Sequence, residues 1–148
     1  MDIFSDALHA LTEMLSGLWP QPKENPHLVD GKLRPCPGTP NGVCSESTNP
    51  VVSIDPLSFS AAPSTAWEAL QAVIREKGGE LRTLEPGYLW ATFTIPLFGF
   101  VDDVEFRLCP QEGVIHLRSS SRIGFSDLGV NRGRVETLRA AFQKALAG

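Results

Sequence analysis

Two segments of alternating apolar and polar residues, Val101 to Leu108 and Val114 to Ser121, stand on either side of Pro110-Gln111-Glu112-Gly113. A four-residue loop fixes how such strands pair, because side chains alternate between faces and a slip of one residue moves every apolar group to the wrong side. With that loop, Leu108 faces Ile115, Phe106 faces Leu117 and Val104 faces Ser119, so most apolar residues share one side. The other side then sets Glu105 opposite Arg118, Arg107 opposite His116 and Asp103 opposite Ser120.

The same periodicity predicts strands near Leu81 to Leu84 and Tyr88 to Ile95. Thr65 followed by Glu68 predicts a capping box opening a helix with Trp67, Leu70, Val73 and Ile74 on its apolar face and Gly78-Gly79 as its stop. A last helix is expected from about Asn131, read as its cap, with Val135, Leu138, Phe142 and Leu146 on one face. The fold class expected is α+β in two layers: an antiparallel sheet of three or four strands packed with two helices, plus an N-terminal helix and a Pro-rich arm. The second sheet face, with Glu105, Arg107, His116 and Arg118, is either solvated or covered by the arm.

Within one domain of 148 residues, three stretches differ in character: an amphipathic helix within 1–18, an irregular Pro-rich arm over 19–63 and the α+β core over 64–148. The N-terminal helix, predicted over 2–17, carries Phe4, Leu8, Leu11 and Leu15 at helical spacing. Its stripe is expected to pack on the core or, alternatively, to lie on a membrane surface. In the arm, Val51 to Ile54 reads as a short edge strand between Pro50 and Pro56.

Composition narrows the function classes. A formal net charge of −4 disfavours a surface that tracks nucleic-acid backbone. Acids at Asp2, Asp6 and Glu13 stand where a secretory leader carries Lys or Arg, and no small-residue cleavage site follows. The longest uncharged run, Pro86 to Val101, lacks the length and apolarity of a spanning helix. A soluble cytoplasmic chain is the expectation, with peripheral membrane contact through the first helix as an option. Three cysteines, Cys36, Cys44 and Cys109, leave one over, so free thiols are the simplest reading. Cys36, Cys44 and Cys109 with His116 match a tetrahedral zinc set in number but not in spacing, so no metal or cofactor is expected.

The polar stretch Arg118 to Arg134 holds Arg118, Arg122, Arg132 and Arg134 with three consecutive serines, three glycines, Asp127 and Asn131. By the hairpin register it emerges beside Pro96-Leu97-Phe98-Gly99-Phe100, at one end of the sheet. The candidate ligand-binding residues are therefore Phe98, Phe100, Asp102, Asp103, Arg118, Ser120, Arg122, Asp127, Asn131 and Arg132. Guanidinium forks suit carboxylate or phosphate, so this end suits a small anion or a protein segment. The same arginines can instead form an internal lattice with Asp102, Asp103 and Asp127 that clamps the loop. Asp102 and Asp103, as strand neighbours, point to opposite faces, so one pocket receives only one of them. Ser120 with His116 hints at nucleophilic catalysis, but no strained nucleophile turn accompanies it, and no catalytic residue is assigned. Three functional readings follow: a non-enzymatic binding module, an enzyme of unknown reaction using Asp102 or Asp103 with Arg122 and Asp127, and a membrane-associated structural protein.

Three motifs, Cys36-Pro37-Gly38-Thr39-Pro40-Asn41-Gly42-Val43-Cys44-Ser45, Phe98 to Phe106 and Arg118 to Arg132, resemble the family of domain of unknown function 1499. The resemblance covers about 36–148. It implies a small α+β domain of bacteria and photosynthetic lineages, often with membrane or export segments in relatives, and no particular activity. Relatives commonly read Cys-Pro-x-x-Pro-Asn-Cys-Val-Ser, whereas Gly42 stands here at the second cysteine and Cys44 follows two residues on. The resemblance therefore carries no metal or disulfide role over to Cys36 and Cys44.

Overall fold

The computed structural model describes residues 3–16, 24–36, 40–96, 99–122 and 129–148. Its elements are α1 (Ile3–Ser16), β1 (Gly42–Cys44), β2 (Leu57–Ser58), α2 (Pro63–Glu76), β3 (Glu80–Glu85), β4 (Tyr88–Thr94), β5 (Val101–Cys109), β6 (Val114–Ser121) and α3 (Val130–Ala147). The strands form one antiparallel sheet in the order β1-β6-β5-β4-β3, with β2 also paired to β6. The class is α+β.

Two of the six strands come from the Pro-rich arm, which raises the count above the three or four that periodicity marks. Without β1 and β2, the outer edge of β6 would present a row of unsatisfied N–H and C=O groups, and the arm supplies their partners. Val51 to Ile54 is not the strand expected there. Asn49 turns that segment, accepting the Val52 and Ser53 amides at 3.1 and 2.9 Å, and only Ser53 bridges to Cys44.

The hairpin register is as the alternation predicts: Leu108 opposite Ile115, Phe106 opposite Leu117, Val104 opposite Ser119, Glu105 opposite Arg118, Arg107 opposite His116 and Asp103 opposite Ser120. Gly113 closes the loop at φ 65°, donating to Pro110 O at 3.2 Å. The core lies between this face and the two long helices: Leu70, Ile74, Leu138 and Phe142 meet Leu89, Val104, Phe106, Ile115 and Leu117.

The start of α2 differs from the capping-box expectation. Pro63 begins the helix behind Ala62, with no side-chain cap bond, because proline presets the helical φ and lacks an amide that would otherwise go unpaired. Its end follows the Gly78-Gly79 stop. Gly78 is left-handed, its N–H reaches Arg75 O at 3.1 Å and the Gly79 N–H reaches Ile74 O at 2.8 Å. Similarly, α3 is preceded by left-handed Gly129 rather than capped by Asn131, whose side chain is drawn into the sheet.

The second sheet face is covered by the arm, where Leu33 packs with Tyr88 and Trp90 and partly buried Leu28 joins them. Helix α1 forms within the expected span, yet core packing does not absorb its stripe: Ile3 and Met14 are 86% and 63% exposed, and Leu8 and Leu11 are exposed as well. Among the described residues, no helix is long and apolar enough to cross a membrane.

Candidate functional site

Asp102 and Asp103 sit at the start of β5 and, as strand neighbours must, face opposite ways. On the arm side Asp103 takes a two-pronged grip from Arg122, Nε to Oδ2 at 2.9 Å and Nη2 to Oδ1 at 3.0 Å, and Trp90 Nε1 donates to Oδ1 at 2.9 Å. Two residues along the same face, fully buried Glu105 accepts Tyr88 OH at 2.8 Å. Its other oxygen accepts Arg34 Nε at 3.1 Å and Nη2 at 2.7 Å, with Arg118 Nη1 3.6 Å away. Arg118 also donates to Ser120 Oγ at 2.7 Å and to Pro35 O at 3.4 Å, tying the sheet to the arm.

Burial pulls the Arg118 pKa down, the Arg34 charge adds to that, and Glu105 with Asp103 opposes both. Burial pushes the Tyr88 phenol up, reinforced by the charge and hydrogen bond of Glu105. Two carboxylates, Asp103 and Glu105, thus face three guanidiniums, Arg34, Arg118 and Arg122, with Arg118 Nε buried and without a hydrogen bond, and the lattice holds the arm down.

The helix side carries a second lattice. Arg134 Nη2 approaches fully buried Asp102 Oδ2 at 2.7 Å as an ion pair whose angle falls short of a hydrogen bond. The same guanidinium donates to Asn131 Oδ1 at 2.8 Å and lies 5.0 Å from the centre of the Phe93 ring. Ser119 Oγ donates to Asn131 Oδ1 at 2.6 Å, while Asn131 Nδ2 reaches Ser121 Oγ at 3.0 Å and Asn41 O at 3.2 Å. Instead of capping its helix, Asn131 joins α3, β6 and the arm.

Of the residues singled out in the sequence, Phe98 and Asp127 lie outside the described residues. Phe100 and Arg122 do share one sheet end: Ile95 N–H reaches Phe100 O at 2.7 Å, and Arg122 N–H reaches Val101 O at 3.4 Å. Asp103, Arg118, Ser120 and Arg122 come together on the arm face, Asp102 and Asn131 on the helix face. Arg132 is apart from both, exposed and donating to Ser53 O at 3.1 Å. Sequence reasoning missed Arg34, Tyr88, Trp90 and Arg134 as members. The strand alternation places Tyr88 and Trp90 on the face of Asp103 and Glu105, so those two were within reach of it; Arg34 carries no such signal.

The serine and histidine pairing hinted at by spacing is not formed. His116 Nδ1 lies 3.0 Å from Ser45 Oγ and Nε2 lies 3.5 Å from Glu112, while Ser120 belongs to Arg118. Nor are all three thiols free. Cys36 and Cys44 form a disulfide across a Cα separation of 6.1 Å, and Cys109 alone is free. The arm doubles back so that the segment after Leu33 runs beside the end of β1, which brings residues eight apart together. That bond also removes two ligands from the four-residue zinc set.

Two openings, neither lined by Arg122 or Asp103, border the arm and α1. One, of about 520 Å³, separates α1 from β3 and β4 between Leu8, Thr12, Arg82 and Thr94; another, of about 460 Å³, lies over Arg34, the disulfide and Glu46.

Residues 32–142 match the family described as protein of unknown function (DUF1499). The chain belongs to this family. No curated protein matches the chain. The matched span takes in both polar lattices and the disulfide, and leaves out α1.

Proposed function

We propose that the chain is a non-enzymatic interaction module that holds a protein segment, with the arginine lattices serving as internal clamps. The observation that carries this reading is the pairing of Arg122 with Asp103, Arg118 and Arg34 with Glu105, and Arg134 with Asp102. A guanidinium already gripped by an internal carboxylate has little left for a small anion, so the anionic-ligand reading loses its main donor set. The enzyme reading weakens for the same reason: Asp102 and Asp103 face opposite sides, each against an arginine.

Along α1 the fold leaves apolar side chains outside. Ile3, Leu8, Leu11 and Met14 are exposed along α1, and an exposed apolar stripe of this kind is a docking surface for a complementary helix. A protein occupant is favoured over a lipid surface because α1 has Asp6 and Glu13 and no Lys or Arg, so anionic headgroups repel it. The disulfide supports an oxidising compartment over the cytoplasmic setting expected from the N-terminus, since such bonds are rare in a reducing cytosol.

The test compares the full chain with an Ile3→Asp, Met14→Asp double variant against a panel of amphipathic helical peptides, read by fluorescence anisotropy, and against neutral and anionic vesicles, read by flotation. Peptide binding that the double variant loses, without flotation of either form, is the expected result. Retention of no peptide, equal retention by both proteins, or flotation with vesicles overturns it. A phosphate-induced rise in melting temperature that Arg122→Gln abolishes favours the anion reading instead.

A further inference from the structure

The tip of the β5 and β6 hairpin gathers three metal-ligating groups outside both lattices. Cys109 is the last residue of β5, opposite Val114, and His116 is two residues further along β6. Residues diagonal across an antiparallel pair share a face, so the thiol and the imidazole project together. Glu112, in the turn between them, folds its carboxylate back over that face, and the three ligand atoms lie within 4.8 Å of one another. We propose that Cys109, Glu112 and His116 form a site for a divalent transition metal of the zinc class, with water completing a tetrahedron.

Geometry is the first argument. Metal–ligand bonds of about 2.0–2.3 Å at tetrahedral angles set ligand atoms about 3.3–3.6 Å apart. His116 Nε2 and Glu112 Oε2 are already 3.5 Å apart. Cys109 Sγ contacts Gln111 Oε1 at 4.0 Å and Arg107, and it lies within 4.8 Å of both other ligand atoms. The second argument is orientation. His116 Nδ1 lies 3.0 Å from Ser45 Oγ, which is itself fixed by the Leu117 N–H at 2.8 Å. With Nδ1–H donating to that hydroxyl, the Nε2 lone pair faces Glu112, as the outer partners of metal-bound histidines arrange it.

Charge and softness give the third argument. One thiolate and one carboxylate neutralise a divalent cation, and sulfur with imidazole selects zinc-like ions over magnesium or calcium. Arg107, the neighbouring cation, is paired with Glu46 at 3.0 Å and also faces Cys109, where its charge favours the thiolate that a metal requires. Glu112 is 66% exposed at its side chain and Cys109 partly so, which leaves a path for the ion and room for water. The resulting set of three protein ligands and one water is the kind found where a metal keeps an open position.

Cobalt(II) serves as the optical probe, added to the full chain with its disulfide intact and no thiol reductant present. Saturation at one equivalent, with a thiolate-to-metal charge-transfer band in the near ultraviolet, is expected. Cys109→Ser abolishes the band, and Glu112→Gln or His116→Gln weakens binding at least roughly tenfold, the loss that even outer-sphere partners cause. Absence of the band, its survival in Cys109→Ser, or wild-type affinity in both other variants overturns the proposal. Should a variant fail to fold, alkylation of Cys109 in the unmodified chain decides: protection by Zn²⁺ supports the site, and an unchanged rate overturns it.

Discussion

Tyr88 is the single tyrosine of the chain, and its hydroxyl donates to a fully buried carboxylate, so its ionisation reports directly on the covered sheet face. Burial first, then the negative charge and hydrogen bond of Glu105, raise its pKa above the ordinary value of about 10. The folded state therefore keeps a proton that the unfolded state releases. Stability from this group is complete below about pH 10 and is lost as pH rises above it. Phenolate absorbance is expected to appear near pH 10 in denaturant and only at higher pH in the native chain. Tyr88→Phe removes that alkaline loss and, by taking a donor from Glu105, lowers stability at neutral pH by about 1–3 kcal/mol in urea unfolding. At this scale the split of Asp102 from Asp103 was legible because strand alternation demands it, and so was the pairing of Glu105 across from Arg118. Arg34 was not, since nothing near it in sequence marks a partner 71 residues away.

Element interiors follow the sequence periodicity, while both long helices of the core start differently from the side-chain caps expected. The hairpin register is a local consequence of a four-residue loop and period-two alternation, and all six expected cross-strand pairs are present. Both helix starts differ because a backbone device outranked a side-chain one: Pro63 opens α2, and left-handed Gly129 precedes α3. Strand β1 depends on a close approach that only glycine permits. A Cβ on Gly42 would lie 2.8 Å from both Ser119 O and Ser120 Cβ, atoms of the paired strand that cannot move alone. Gly42→Ala is expected to lift β1 from β6 and to cost about 1–3 kcal/mol, the scale of forced overpacking. The check is a lower melting temperature together with faster exchange of the Ser121 amide, which now donates to Asn41 O at 2.9 Å. An unchanged melt and exchange rate would mean that β1 contributes little to the edge.

The whole molecule is a core with its arm strapped across one sheet face by the Arg34 and Glu105 pair, the Arg107 and Glu46 pair and the disulfide. Thiol titration is expected to find one free cysteine in the purified chain and three after denaturation and reduction. Three free thiols at the outset would contradict the paired arm. Reduction opens a loop of sequence separation eight, and loop-closure entropy places its stabilising effect at about 2–3 kcal/mol. Local pattern alone determined the α+β class, the hairpin alignment, the helix faces and the convergence of Phe100 with Arg122, because period-two and 3.6-residue repeats and short loops act within a few residues of chain. Only the tertiary structure decided which carboxylate each arginine grips, which cysteines pair, and what covers the second sheet face. The arm's ion pairs close back over 61 and 71 residues, whereas the disulfide spans eight, and what selects among the possible closures is the burial and satisfaction of groups that no single stretch of sequence contains.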